Sequence, residues 1–155
     1  MSEQYPTLEM QQRLLTFEMG GCIYALPISC VLEVTEVTTM ACIPMFSPAT
    51  AGAINHHGDA LPVMRSGALL EISEAELPEP GHILVITAGP AGGPRLGMPV
   101  DRIVGLVDGP GAVSHGSNAV AERRQIDDRV VSILDPQRLV ARAQEEIERS
   151  LTRAD

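Results

Sequence analysis

The sequence predicts an all-β chain in which one strand-rich unit of roughly five short strands occurs twice, each copy closing into a small barrel, with one helix at the C-terminus. Three observations carry that expectation. Most of the 155 residues fall into short aliphatic or β-branched runs bounded by Gly, Pro, Asp or Asn. The stretch Tyr24-Ala25-Leu26-Pro27-Ile28-Ser29-Cys30-Val31-Leu32-Glu33-Val34 aligns with Leu96-Gly97-Met98-Pro99-Val100-Asp101-Arg102-Ile103-Val104-Gly105-Leu106, a shift of 72 positions (96 minus 24). Only the end of the chain repeats its apolar residues at helical spacing.

In order, the expected strands are Leu14 to Met19, Cys22 to Leu26, Val31 to Val37, Ala53 to His56, Ala60 to Met64, His82 to Thr87, Arg95 to Val100, Ile103 to Val107 and Val130 to Leu134. Glu71 to Gly81, Ala88 to Pro94 and Asp108 to Gln125 read as loops, the first acidic, the second a Gly- and Pro-rich hairpin connection. In both copies a strand ends on Pro, an apolar residue and a small polar residue follow, and a second strand begins. Proline has no N–H to give a ladder, so it marks a strand end or bend each time. The same shift carries Ile54 onto Ile126, after which each copy has a polar turn and an apolar strand. A unit this small buries little on its own, so the two copies are expected to pack together, with closure hiding most strand edges.

For the final helix, Asp135 is the N-cap and Pro136 the first helical residue, and Val140, Ala143, Ile147 and Leu151 form the buried stripe. Arg138, Arg142, Glu145, Glu146, Glu148 and Arg149 make the solvated face, with Glu145 and Arg149 spaced for an i,i+4 pair. The domain expectation is a flexible segment over 1–12, a single two-lobed domain over 13–140 and a helix over 135–153.

Composition narrows the function. The chain is 45% hydrophobic with no Trp, so its core is aliphatic. A net charge of -9 excludes a phosphate-binding surface and opposes an acidic membrane. The polar N-terminus lacks a secretory h-region and no apolar run reaches membrane length, so a cytoplasmic location is expected. Cys22, Cys30 and Cys42 are odd in number and lack CxxC spacing, which reads as structural thiols.

Reactive constellations are sparse. The Gly-rich stretch Ala88 to Pro94 lacks the Lys-Ser/Thr ending of a phosphate loop, and Ser29, Ser47 and Ser66 have no evident base. Cys30 near Glu33 lacks the electropositive setting that makes a thiolate. His56 and His57 are adjacent, and consecutive strand side chains point to opposite faces, so the pair is not expected to share a metal ion; His82 and His115 are isolated. No cofactor is expected. A small Cys/His-dependent enzyme or ligand-binding barrel is the competing class, and a convergent polar pocket would favour it.

Taken in order, Phe17, Tyr24 to Ile28, Val31 to Val34, Ile43-Pro44, Gly52 to Val63, Gly97 to Val107 and Ile133-Leu134-Asp135 resemble the CheW-type coupling proteins of bacterial chemotaxis. The resemblance runs from about Leu14 to Val140. It implies two packed SH3-like five-stranded barrels and a non-catalytic adaptor. It also implies the partners: the regulatory domain of a CheA-type histidine kinase and the cytoplasmic tip of a methyl-accepting chemoreceptor, in receptor arrays at the inner face of the membrane. Flagellar chemotaxis and type IV pilus motility read alike, and a scaffold for other signalling partners is the alternative. The partner-binding residues it implies are Glu33, Val34, Gly52, Ile54, Asn55, His57, Gly58, Val100 and Asp101. The family's G-x-x-N-x-R-G turn is matched at Gly52, Asn55 and Gly58, while His57 stands where Arg is common, and Met64-Arg65-Ser66 follows Pro62-Val63 where x-D-L is common. Glu33 and His57 are expected to face each other across neighbouring strands, as a pair charged only when the imidazole is protonated.

Overall fold

The structure, a computed structural model, describes residues 13–36, 50–70, 72, 81–89, 92–116 and 118–153. Residues 1–12, the end of the third expected strand at Val37, Cys42, Ile43-Pro44, Ser47 and most of the acidic loop before Gly81 lie outside the described residues. Ten strands are described: β1 (Arg13–Met19), β2 (Cys22–Pro27), β3 (Val31–Glu36), β4 (Thr50–His56), β5 (Asp59–Met64), β6 (His82–Ile86), β7 (Leu96–Val100), β8 (Arg102–Asp108), β9 (Val120–Ile126) and β10 (Arg129–Leu134). A short helix, Ser66–Leu70, follows β5 and a long one, Pro136–Arg153, follows β10.

The strands form two five-stranded sheets, ordered β8-β1-β2-β10-β9 and β3-β6-β7-β5-β4. Adding five to each strand number of the second sheet, counted cyclically, reproduces the first, so the duplication seen in the sequence is present in the topology. Its assembly differs from the expected one barrel per copy. Each sheet takes two strands from one copy and three from the other, and the copies meet in the parallel pairs β2–β10 and β5–β7 and in the antiparallel pairs β1–β8 and β3–β6.

The repeated Pro-centred stretch explains this exchange. After Pro27 the chain makes one turn of 3-10 helix over Ile28–Cys30 and enters the other sheet as β3; after Pro99-Val100 a single residue, Asp101, returns it to the first sheet as β8. What repeats is therefore the crossover between lobes. Asp101 fixes the second crossover by accepting the Gly20 N–H at 2.8 Å through Oδ2, while its own N–H donates to the Glu18 carbonyl at 2.9 Å.

Both faces of the sheets are buried. Phe17, Met19, Tyr24, Leu26, Met64, Leu84, Leu96, Met98 and Leu134 pack into one core shared by the two lobes. The alternate residues Leu14, Ala25, Val131 and Ile133 fill the inside of the first sheet, and Leu61, Val63, Ile83 and Val85 are buried in the second. Such alternation is what curling each sheet round its own interior requires. Gly97 marks how tight that interior is, because a Cβ there would lie 2.9 Å from Ile83 Cγ2 and 3.3 Å from Val63 Cγ2.

The C-terminal helix begins as the sequence predicts: Asp135 Oδ1 accepts the Gln137 N–H at 3.0 Å. Its buried face holds Leu139, Val140 and Ala143, with Ile147 partly buried, and Arg142 donates to the Ala68 carbonyl at 3.2 Å, joining the two helices. Arg149 pairs with Glu146 at 3.1 Å, an i,i+3 contact, in place of the expected Glu145.

Two elements depart from expectation. β9 lies within the stretch read as a loop; its Glu122, Arg123, Arg124 and Gln125 give no apolar alternation because the strand sits at a sheet edge and pairs only with β10. The short helix Ser66–Leu70 is one turn and a half, too brief to show a period, and holds because Leu69 drops into the shared core.

Candidate functional site

The site grows from the hairpin β4–β5. Gly52 to Asn55 run antiparallel to Ala60 to Val63, and the last pair, His56 with Asp59, leaves His57-Gly58 as a two-residue turn. Both turn residues have positive φ, 53° and 93°, as type I′ geometry demands. Glycine meets that demand without strain and histidine does not. Asn55 offsets the cost: its Oδ1 accepts the Gly58 N–H at 2.8 Å and pins the turn.

Positive φ at His57 also overturns the expectation that the two imidazoles diverge. The chain has left the strand there, and the rings stand edge to face with centroids 4.3 Å apart. Both reach Glu33 Oε1, His56 Nε2 at 3.0 Å and His57 Nε2 at 3.9 Å. The expected Glu33–His57 approach exists, but the shorter contact belongs to His56. Nor are the strands neighbours: β3 and β4 are the two outer strands of the sheet. Their meeting means that the sheet curls until its edges close on this carboxylate.

Around that seam lie most of the implied partner-binding residues. Val34 is 40% exposed on β3, as is Leu32 at 44%; Ile54 is partly exposed, and Asn55 and Gly58 are at the surface. Gly52 is buried beside the bulge of β4. Val100 and Asp101 lie apart from that seam, Asp101 partly exposed. Val100 is 1% exposed in the shared core, and Asp101 clasps the crossover. Val63 is level with Gly97 in the parallel ladder, which puts Asp59 and Val100 roughly 20 Å apart along the strand direction.

His56 and Leu32 escaped sequence reasoning. The sequence ends a strand at His56, but nothing local announces that β3 closes against it. Cys30 is buried, and burial pushes its thiol up, away from the thiolate a nucleophile needs. No described helix is long and apolar enough to cross a membrane.

In the other lobe the corresponding seam is open. Gly105 stands where Glu33 does and Ile126 where His56 does, and between them runs a cleft of about 290 Å³ lined by Thr16, Ile23, Gly105, Ile126 and Val131. A neighbouring cavity of about 520 Å³ is bordered by Arg13, Leu106, Asp108 and Asp127. Leu106, the counterpart of Val34, is 52% exposed. Each lobe thus presents an apolar residue on an outer strand whose free edge is not hydrogen-bonded to a further strand among the described residues.

These features define a duplicated, two-lobed β scaffold with a surface at each seam. The chain belongs to the CheW-like domain family, whose profile matches residues 13–144. It is similar to the crystal structure of the scaffolding protein TtCheW from Thermoanaerobacter tengcongensis, with a TM-score of 0.68 and 20% identity over 83% of this chain and 92% of that one. A search of functionally curated proteins finds no match.

Proposed function

We propose that the protein is a non-catalytic adaptor that couples chemoreceptors to a CheA-type histidine kinase, in bacterial chemotaxis or a related pathway such as type IV pilus motility, at the cytoplasmic face of the membrane. The observation that carries this reading is the pair of outer strands, β3 with Leu32 and Val34 and β8 with Leu106, each exposing apolar side chains at an edge that pairs with no further strand among the described residues. Such edges promote association unless covered, and an adaptor needs two of them. The family match supports the same role. Glu33, Val34, Ile54, Asn55, His57 and Gly58 form one of the two contact surfaces, with Val34 and Ile54 as apolar anchors and the polar groups as rim.

Titration against the regulatory domain of the cognate kinase and against a receptor-tip helical hairpin tests this. Saturable binding to both is expected, with Ile54→Glu weakening one of them by at least about tenfold, because a charge replaces an anchor in the contact. Failure to bind either partner overturns the coupling role.

A further inference from the structure

Glu33, His56 and His57 bring three potential metal-ligand atoms together. Two imidazole nitrogens approach Glu33 Oε1, and one ligand atom from each of the three residues lies within 4.8 Å of the others. A tetrahedral ion with bonds of about 2.0–2.1 Å holds its ligand atoms about 3.4 Å apart. The distances to Glu33, 3.0 and 3.9 Å, bracket that value, and the more distant group, His57, is the exposed one. Two imidazoles and one carboxylate also form a ligand set suited to zinc, nickel or copper and poor for magnesium or calcium. The Asn55–Gly58 hydrogen bond holds the turn that supplies two of the three ligands.

We propose that Glu33, His56 and His57 form a binding site for a divalent transition-metal ion of the zinc class. The ion has three protein ligands and one position open to water. Because Glu33 lies on β3 and the histidines end β4, it bridges the two outer strands of one sheet and holds that seam shut. The site shares Glu33 and His57 with the proposed contact surface, but its test uses no partner.

Calorimetric titration of the full chain with Zn²⁺, together with thermal melts, decides the matter. One ion per chain is expected, with a raised melting temperature, since a ligand that binds only the folded state stabilises it. His57 is 79% exposed at its side chain, so His57→Ala leaves the metal-free melting temperature unchanged while weakening Zn²⁺ binding by at least about tenfold. Glu33→Gln and His57→Arg also weaken Zn²⁺ binding by at least about tenfold, whereas His115→Ala and Cys22→Ser do not. Mg²⁺ gives no saturable binding. The proposal is overturned by absence of saturable Zn²⁺ binding, by binding that survives both His57→Ala and Glu33→Gln, or by binding that disappears in Cys22→Ser.

Discussion

The two lobes have the same strand order and the same two-residue turn, yet one closes its seam and the other leaves it open. His57-Gly58 and Asp127-Asp128 both carry positive φ at each position. In one lobe, Glu33 on the facing strand receives the histidines; in the other, Gly105 offers no side chain and Ile126 no donor, and a cleft remains. The backbone is thus indifferent to what fills the seam. Duplication supplied two equivalent frames, and a few side chains separate their chemistry.

That comparison implies shared stability and divided function, and substitutions test both halves. The largest effect is expected from Phe17→Ala, which empties a fully buried position in the core common to both lobes. A loss of about 3–5 kcal/mol is expected in denaturant unfolding, in a single transition. Two separated transitions would show that the lobes fold independently and that the strand exchange between copies does not couple them. Next comes Gly97→Ala, which places a methyl against Ile83 and Val63 and is expected to cost about 1–3 kcal/mol. The counterpart position in the other lobe already holds Ala25, fully buried.

A smaller effect belongs to the turn. Asn55→Ala removes the acceptor of the Gly58 N–H and is expected to cost about 1 kcal/mol, while Gln125→Ala at the corresponding place in the other hairpin changes stability by less than about 0.5 kcal/mol. Equal costs would mean that the two turns are held by the same interactions. The smallest effect is Glu33→Gln in metal-free protein, below about 1 kcal/mol, because the carboxylate is 44% exposed and a half-solvated histidine–carboxylate pair contributes little.

Much of this was legible in the sequence. Short runs between turn residues placed nine of the strands, and Asp135-Pro136 announced the long helix and its cap. The repeat was visible as well, but its meaning was not: a Pro-ended strand looks the same whether the chain turns back or crosses to another sheet. The missing strand, Val120–Ile126, is polar because it lies at an edge. Register also shifted the internal alignment. Sequence matching paired Ile54 with Ile126, whereas the hairpins pair His56 with Ile126, a shift of 70 (126 minus 56), because the segment before the turn is two residues shorter in the second copy. The Glu33 cluster was half visible. A Glu–His approach follows from the resemblance, but the part played by His56 depends on positive φ at His57 and on closure of a curled sheet, neither of which has a local signal.

The central claim is that the closed seam, built on β3 and the β4–β5 hairpin, is one of the adaptor's two working surfaces. Hydrogen–deuterium exchange of the chain, alone and bound in turn to the kinase regulatory domain and to the receptor-tip hairpin, tests it most directly. The account predicts that one of the two complexes slows exchange over Val31–Glu36 and the turn at His57-Gly58, while the segment around Val100 keeps the protection it already has in the free protein. Unchanged exchange over β3 and that turn in both complexes would contradict it.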